Sequence, residues 1–280
     1  MQNYSFNPWT ASLPDATWTA NQWLIEHRPG ATPITKQEVL DRLNKGMFLT
    51  SADAKTTKGE ALGWRTLILY LAPATIIGQN LCPGHTKECF KHCLFNAGRG
   101  RFTNVTRARI VKTLALIANP DLFIDKLFKQ IDAATRRHER VAYRLNGTSD
   151  LPWHIWARKQ ILSRHVPGKV QAYDYTKVAA YLPAATSLRG AYHVTFSVSD
   201  SVASQRYLSY TIRKQLPGHF AVVSETLPND GRNLSWALDQ RPCIDGDAHD
   251  LRFLDPRDAI VVLRPKGSLK KADSKFKEAV

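Results

Sequence analysis

Three of the four cysteines, Cys82, Cys89 and Cys93, fall within the twelve residues CPGHTKECFKHC. Thiolates are soft metal ligands, and three on one loop can wrap an iron–sulfur cluster while leaving one iron without a protein ligand. With His85, His92 or Cys243 as a fourth donor they could instead close a tetrahedral zinc site. A third reading is three unrelated buried thiols, since cysteine is itself apolar. The opening MQNYSFNPWT has neither a basic stretch nor an apolar core. A cytoplasmic chain with reduced thiols is therefore expected, and a disulfide framework is not.

Other groups with chemical potential stand at the ends of apolar runs. VAYRL leads into Asn146-Gly147-Thr148-Ser149-Asp150, VQAYDY into Thr176-Lys177, YHVTF into Ser197, and FAVVS into Glu225. From these, Asp150, Asp174 and Lys177 are candidate catalytic groups. Arg144, Asn146, Ser149, Tyr175 and Ser197 are candidate substrate contacts. Asp150 has a second reading as a helix N-cap. The segment CIDGDAHDLR adds Asp245 and Asp247 as substrate contacts, and with His249 and Asp250 these could bind a divalent cation. Alternatively, its aspartates close a turn on their own backbone. No nucleophile elbow, phosphate-binding loop or dinucleotide fingerprint is present, which argues against those hydrolase, NTPase and oxidoreductase classes.

Lys and Arg number 39 against 24 Asp and Glu, a net charge of +15 with a pI near 9.8. Such an excess suits a polyanion, so nucleic acid or a nucleotide is the expected partner. It concentrates between Lys87 and Lys112, where Arg99 and Arg101 are candidate substrate contacts and, with Arg107 and Arg109, are expected to rim the site. A second concentration lies in the tail from Arg264. No apolar stretch is long enough to span a membrane.

The elements that must position these groups follow from periodicity. Strands are expected at 66–71, 141–145, 170–175, 192–196, 220–224 and 259–263, as near-continuous β-branched runs covered on both faces. Helices are expected at 35–45, where Thr35 and Glu38 form a capping box, and at 107–118, 120–137, 152–164, 202–215 and 234–238. Alternation of this kind predicts an α/β fold with parallel strands. Polar residues at the carboxyl ends of at least four strands favour a partial (β/α)6 TIM-like barrel, whose strand ends meet at one mouth. The expected organisation is an N-terminal extension (1–60), a barrel domain (61–265) and a basic C-terminal tail (266–280).

A first strand, a three-cysteine loop and six alternating strands resemble the radical S-adenosylmethionine enzymes. Their usual loop is C-x3-C-x2-C, against C-x6-C-x3-C here. The resemblance implies a [4Fe–4S] cluster on Cys82, Cys89 and Cys93 that binds S-adenosylmethionine, with residues 146–150 standing where that family contacts it. The stretches NLCPGHTKECFKHCLFNAGRGRF, RLNGTSDLPW, YDYTK, YHVTFS and IDGDAHDLRFLDP are similar to a family of small phage and plasmid proteins. That likeness covers roughly residues 58 to 267 and implies a mobile-element origin. Two functions follow as expectations: an iron–sulfur enzyme acting on a nucleotide or nucleic acid, or a zinc-stabilised nucleic-acid-binding protein serving replication.

Overall fold

All six apolar runs form strands, because each is buried on both faces. They are β2 (Arg65–Leu69), β3 (Val141–Arg144), β4 (Val170–Thr176), β5 (Tyr192–Ser197), β6 (Phe220–Val223) and β8 (Ile260–Leu263). The structure is a computed structural model that describes residues 11–51, 54–225 and 241–278. Among these residues two further strands were not expected, β1 (Leu49–Thr50) and β7 (Cys243–Asp245). Both are too short to carry a period.

The eight strands make one sheet of order β1-β2-β3-β4-β5-β6-β8-β7, parallel throughout except for the antiparallel pair β1–β2. From β2 to β6 and on to β8 the order never reverses, so there is no switch point of the doubly wound kind. The sheet is open, with β1 and β7 at its edges. An α/β fold with a mostly parallel sheet is thus present, but the sheet is not closed into a barrel.

Right-handed crossovers that always advance in one direction put the connecting helices on one face. There lie α5 (Thr103–Ala118), α6 (Pro120–Thr135), α7 (Trp153–Trp156), α8 (Arg158–Arg164), α9 (Tyr181–Thr186) and α10 (Val202–Arg213). The expected helix 152–164 breaks at Ala157 into α7 and α8. The expected helix at 234–238 lies outside the described residues. The opposite sheet face packs Trp64, Ala142 and Tyr173 against Leu251 and Phe253, from the loop after β7.

Residues before β2 join the same core. In α1 (Leu13–His27) and α2 (Lys36–Lys45), Ala16, Ala20, Leu24, Val39 and Leu43 are buried with side chains of α5 and α6. Thr35 caps α2 by accepting from Glu38 N at 3.2 Å. The polar segment before β2 forms a short helix, α3 (Ala54–Glu60). No helix among the described residues is long and apolar enough to cross a membrane.

Candidate active site at the carboxyl ends of the strands

The chain leaves β2 into a long loop that carries the cysteines and the short helix α4 (Lys87–Lys91). Hydrogen bonds tie this region to the turn after β3, among them Cys82 Sγ to Thr148 O at 3.8 Å. Gly147 N donates to Leu69 O at 2.9 Å, Asp150 N to Leu81 O at 2.8 Å and Thr148 Oγ1 to Leu71 O at 2.5 Å. Only glycine fits at 147, where a Cβ would stand 2.6 Å from Leu69 O. Gly84 presses equally close to the end of β4, since a Cβ there would meet Lys177 Cβ at 2.7 Å. Thr86 caps α4 through Cys89 N at 3.0 Å and donates to Asp200 at 2.6 Å. Cys82 and Lys177 therefore stand at the same end of the sheet.

One cavity of about 310 Å³ opens at this end, and Cys82, Cys89 and Cys93 all line it. All three are free thiols. Burial pushes the Cys93 thiol up to about 11 and raises Cys82 as well, although Cys82 Sγ accepts the Ala74 N–H at 3.3 Å. Cys243 is elsewhere, packed on β7 among residues of β5, β6 and β8. His85 and His92 also line the cavity. His85 Nδ1 is 2.6 Å from Cys82 O, and His92 Nδ1 is 2.8 Å from Ser268 Oγ.

Eight of the expected strand-end and loop residues share the lining: Arg144, Asn146, Ser149, Asp150, Tyr175, Lys177, Ser197 and Asp247. Asn146 is committed to its own turn. Its Oδ1 accepts from Ser149 Oγ, Leu151 N and Trp153 Nε1 at 3.0, 2.9 and 3.2 Å. Asp150 does not cap a helix. Its Oδ2 accepts Lys177 N at 2.8 Å, while its buried Oδ1 has no hydrogen-bond partner among the described residues. Burial raises the Asp150 carboxyl. Lys177 Nζ donates to Ser197 Oγ at 2.6 Å and sits 5.1 Å from the centre of the Phe276 ring. Arg144 is fixed by Asp250 at 3.1 Å and lies 4.5 Å over the Tyr175 ring. The Tyr173 and Tyr175 hydroxyls donate to the same Asp250 carboxylate at 3.3 and 3.4 Å.

Asp174, Asp245, Arg99 and Arg101 do not line the cavity. Strand alternation turns Asp174 to the face opposite Tyr173 and Tyr175. There it is 1% exposed and accepts from Leu145 N, Asn146 N and Tyr192 Oη at 3.1, 2.8 and 2.7 Å. It holds three strands together, and burial pushes its carboxyl up to about 7 although Arg144 and these donors pull it down. Asp245 caps its own turn through Asp247 N at 2.8 Å and faces Arg264 at 3.7 Å. Asp247 pairs with Lys266 at 2.6 Å. The acidic segment thus neutralises lysine and arginine instead of gathering around a cation. Arg107 turns away from the mouth to Glu38 and the Thr32 and Pro33 carbonyls. Arg109 packs on Tyr70 and Phe95. Among the described residues, no three His, Cys, Asp or Glu side chains stand close enough to hold a single metal ion.

Sequence reasoning missed Lys58 and the wall supplied by Leu269 and Phe276. The one available signal was a lone aromatic in an otherwise basic tail.

A mostly parallel α/β sheet with a thiol-lined cavity at its strand ends defines a protein that builds its site where such folds place ligands. Within that class the chain belongs to the Gene product 88 family, a phage-type family matched over residues 44–279. No curated protein and no solved structure matches the chain.

Proposed function

We propose that the cavity is the active site of an iron–sulfur enzyme with a partial-barrel architecture, acting on a nucleotide or nucleic acid. The observation that carries this reading is the convergence of Cys82, Cys89 and Cys93 on the cavity that also receives the ends of β3, β4 and β5. Cys82, Cys89 and Cys93 are free thiols on one loop and line the cavity without a fourth cysteine, the number of protein ligands that a cluster with one open iron uses. When bound, such a cluster supplies single-electron transfer at its unligated iron, where S-adenosylmethionine is the implied co-substrate.

The remaining lining suits an anionic ligand. Lys58, Arg144, Lys177, Arg264 and Lys266 face Asp150, Asp247 and Asp250, an excess of two positive charges. Lys177 is held by a hydroxyl and a ring, so its charge is available to a phosphate or carboxylate. The unpartnered Asp150 Oδ1 offers an acceptor to a ligand N–H or O–H.

Anaerobic protein reconstituted with iron and sulfide tests the proposal. Wild type is expected to take up iron and sulfide with the visible absorbance of a cluster, and Cys82→Ser, Cys89→Ser and Cys93→Ser to lose them. Addition of S-adenosylmethionine should change the electron paramagnetic resonance spectrum of the reduced protein. Stoichiometric zinc with no iron uptake would overturn the reading in favour of a zinc-stabilised nucleic-acid-binding protein.

A further inference from the structure

The cysteine loop has a second side. As it wraps the cavity, it turns Lys87, Phe90, Lys91, Leu94, Arg99, Arg101 and Phe102 to solvent. Phe90, Leu94 and Phe102 are 37%, 43% and 52% exposed, unusual for large apolar side chains so near one another in the chain. No hydrogen bond or ion pair among the described residues occupies the guanidinium of Arg99 or Arg101. The one acid in this stretch, Glu88, is engaged by Ser274 Oγ at 2.8 Å and Lys91 at 3.7 Å. The tail lies alongside, because a Cβ on Gly267 would touch Ala97 Cβ at 3.0 Å, and it adds the exposed Lys270 and Lys271.

This surface leads into the cavity. Leu94 belongs both to the exposed face and to the cavity lining, and the Phe90 ring packs edge-on against His85, another lining residue, at 6.1 Å. Exposed rings interleaved with exposed cations are what a flexible polyanion with free aromatic faces requires. Phosphates meet the cations, and unpaired bases stack on the rings. A duplex has its base faces covered and could use only the charges. A cavity of about 310 Å³ suits one extruded nucleotide rather than a paired step.

We infer that this face, with Phe90 and Phe102 as stacking platforms and Arg99 and Arg101 as phosphate contacts, docks single-stranded nucleic acid and feeds a base towards the cysteine-lined cavity. The inference rests on the reading of the cavity as a nucleotide-processing site and narrows its substrate to an unpaired strand.

Fluorescence anisotropy tests it, using a labelled oligonucleotide of mixed sequence in DNA and RNA forms, each alone and annealed to its complement. Single strands are expected to bind more tightly than duplexes. Phe90→Ala with Phe102→Ala should weaken single-strand binding by about tenfold or more while leaving duplex binding unchanged. Arg99→Ala with Arg101→Ala, both exposed and with guanidinium groups in no hydrogen bond or ion pair among the described residues, should lower the log–log salt slope by about 0.7 for each lost contact. Equal affinity for duplex and single strand, or no response to loss of the rings, would overturn the inference. Iron content is measured on the same preparations. A variant that loses strand binding but keeps its cluster isolates the docking face, whereas strand binding by wild type that takes up no iron would refute the active-site reading alone.

Discussion

Asp174 and Tyr175 are adjacent, yet they do unrelated work. Tyr175 turns to the cavity, while Asp174 turns beneath the helices and ties β3, β4 and β5 through two backbone N–H groups and the Tyr192 hydroxyl. Both could be placed on one strand from sequence, but the face each would take depends on register against neighbouring strands, which local pattern does not supply. Asp174→Ala leaves three buried donors and the Arg144 charge exposed to loss of partners. A destabilisation of about 3–5 kcal/mol is expected, measurable by urea unfolding. Lys177→Ala, at the cavity, should leave the unfolding midpoint nearly unchanged and remove binding of an anionic ligand. His193 supplies a pH test. Its ring lies 4.5 Å from that of His219, and burial, with help from His219 and Arg252, pushes it down to about 3. The folded protein therefore keeps His193 neutral where the unfolded chain, with an ordinary histidine pKa of about 6.5, takes up a proton. The associated stability is fully present above pH 6.5 and is lost as the pH falls towards 3, by at most about 1.4 kcal/mol per pH unit. His193→Gln should flatten this acid limb relative to wild type. Parallel pH profiles for the two proteins would refute the assignment.

Among the elements, the central strands were legible because burial on both faces writes them as unbroken β-branched runs, and the structure places all six within two residues of expectation. The long amphipathic helices were legible for the complementary reason. α6 buries Phe123, Ile124, Leu127, Phe128 and Ile131 along one stripe. α1 escaped notice because its buried stripe is only Ala16, Ala20 and Leu24, set among exposed Trp18 and Ile25 that disguise the period. The one-sided wall of the site was half legible. The cysteine spacing marked the loop, and the NGTSD turn marked its neighbour, but their hydrogen bonding through the Leu69, Leu71 and Leu81 carbonyls has no sequence trace. The docking of α1 has a measurable consequence. Leu24 is fully buried against the core, so Leu24→Ala should cost about 2–5 kcal/mol. A change below about 0.5 kcal/mol in chemical denaturation would mean that α1 is dispensable to the folded core.

At the scale of the whole molecule, the C-terminal segment returns to the mouth that the first parallel strand opened. After β8 the chain crosses the cavity, with Leu269 and Phe276 turned inward and Lys270 and Lys271 outward. Among the described residues, side-chain bonds pin it through Lys266 to Asp247 at 2.6 Å, Ser268 to His92 at 2.8 Å, Ser274 to Glu88 at 2.8 Å, and Lys277 to Glu225 at 2.7 Å. Two of these reach the cysteine loop, so the segment and the loop form one lip. A wall held by a few polar contacts and a pair of apolar side chains opens more readily than the sheet beneath it. Reagents must pass this lip to reach the thiols it covers. Truncation before Lys266 should therefore speed maleimide labelling of Cys82 and Cys93 by about tenfold or more, the change expected when an opening step of at least about 1.4 kcal/mol is removed. Phe276→Ala should give an intermediate rate, because the ring is lost while the backbone still crosses the cavity. Far-ultraviolet circular dichroism and the melting temperature of each variant show whether the sheet survives. Labelling by mass spectrometry then reports each cysteine separately, with Cys243, packed away from the cavity on β7, as the internal reference. If Cys82 and Cys93 accelerate while Cys243 does not, the tail is the door of the site. Equal acceleration at all three would instead mean that truncation loosens the entire fold, and unchanged rates would mean that the cavity is already open to solvent.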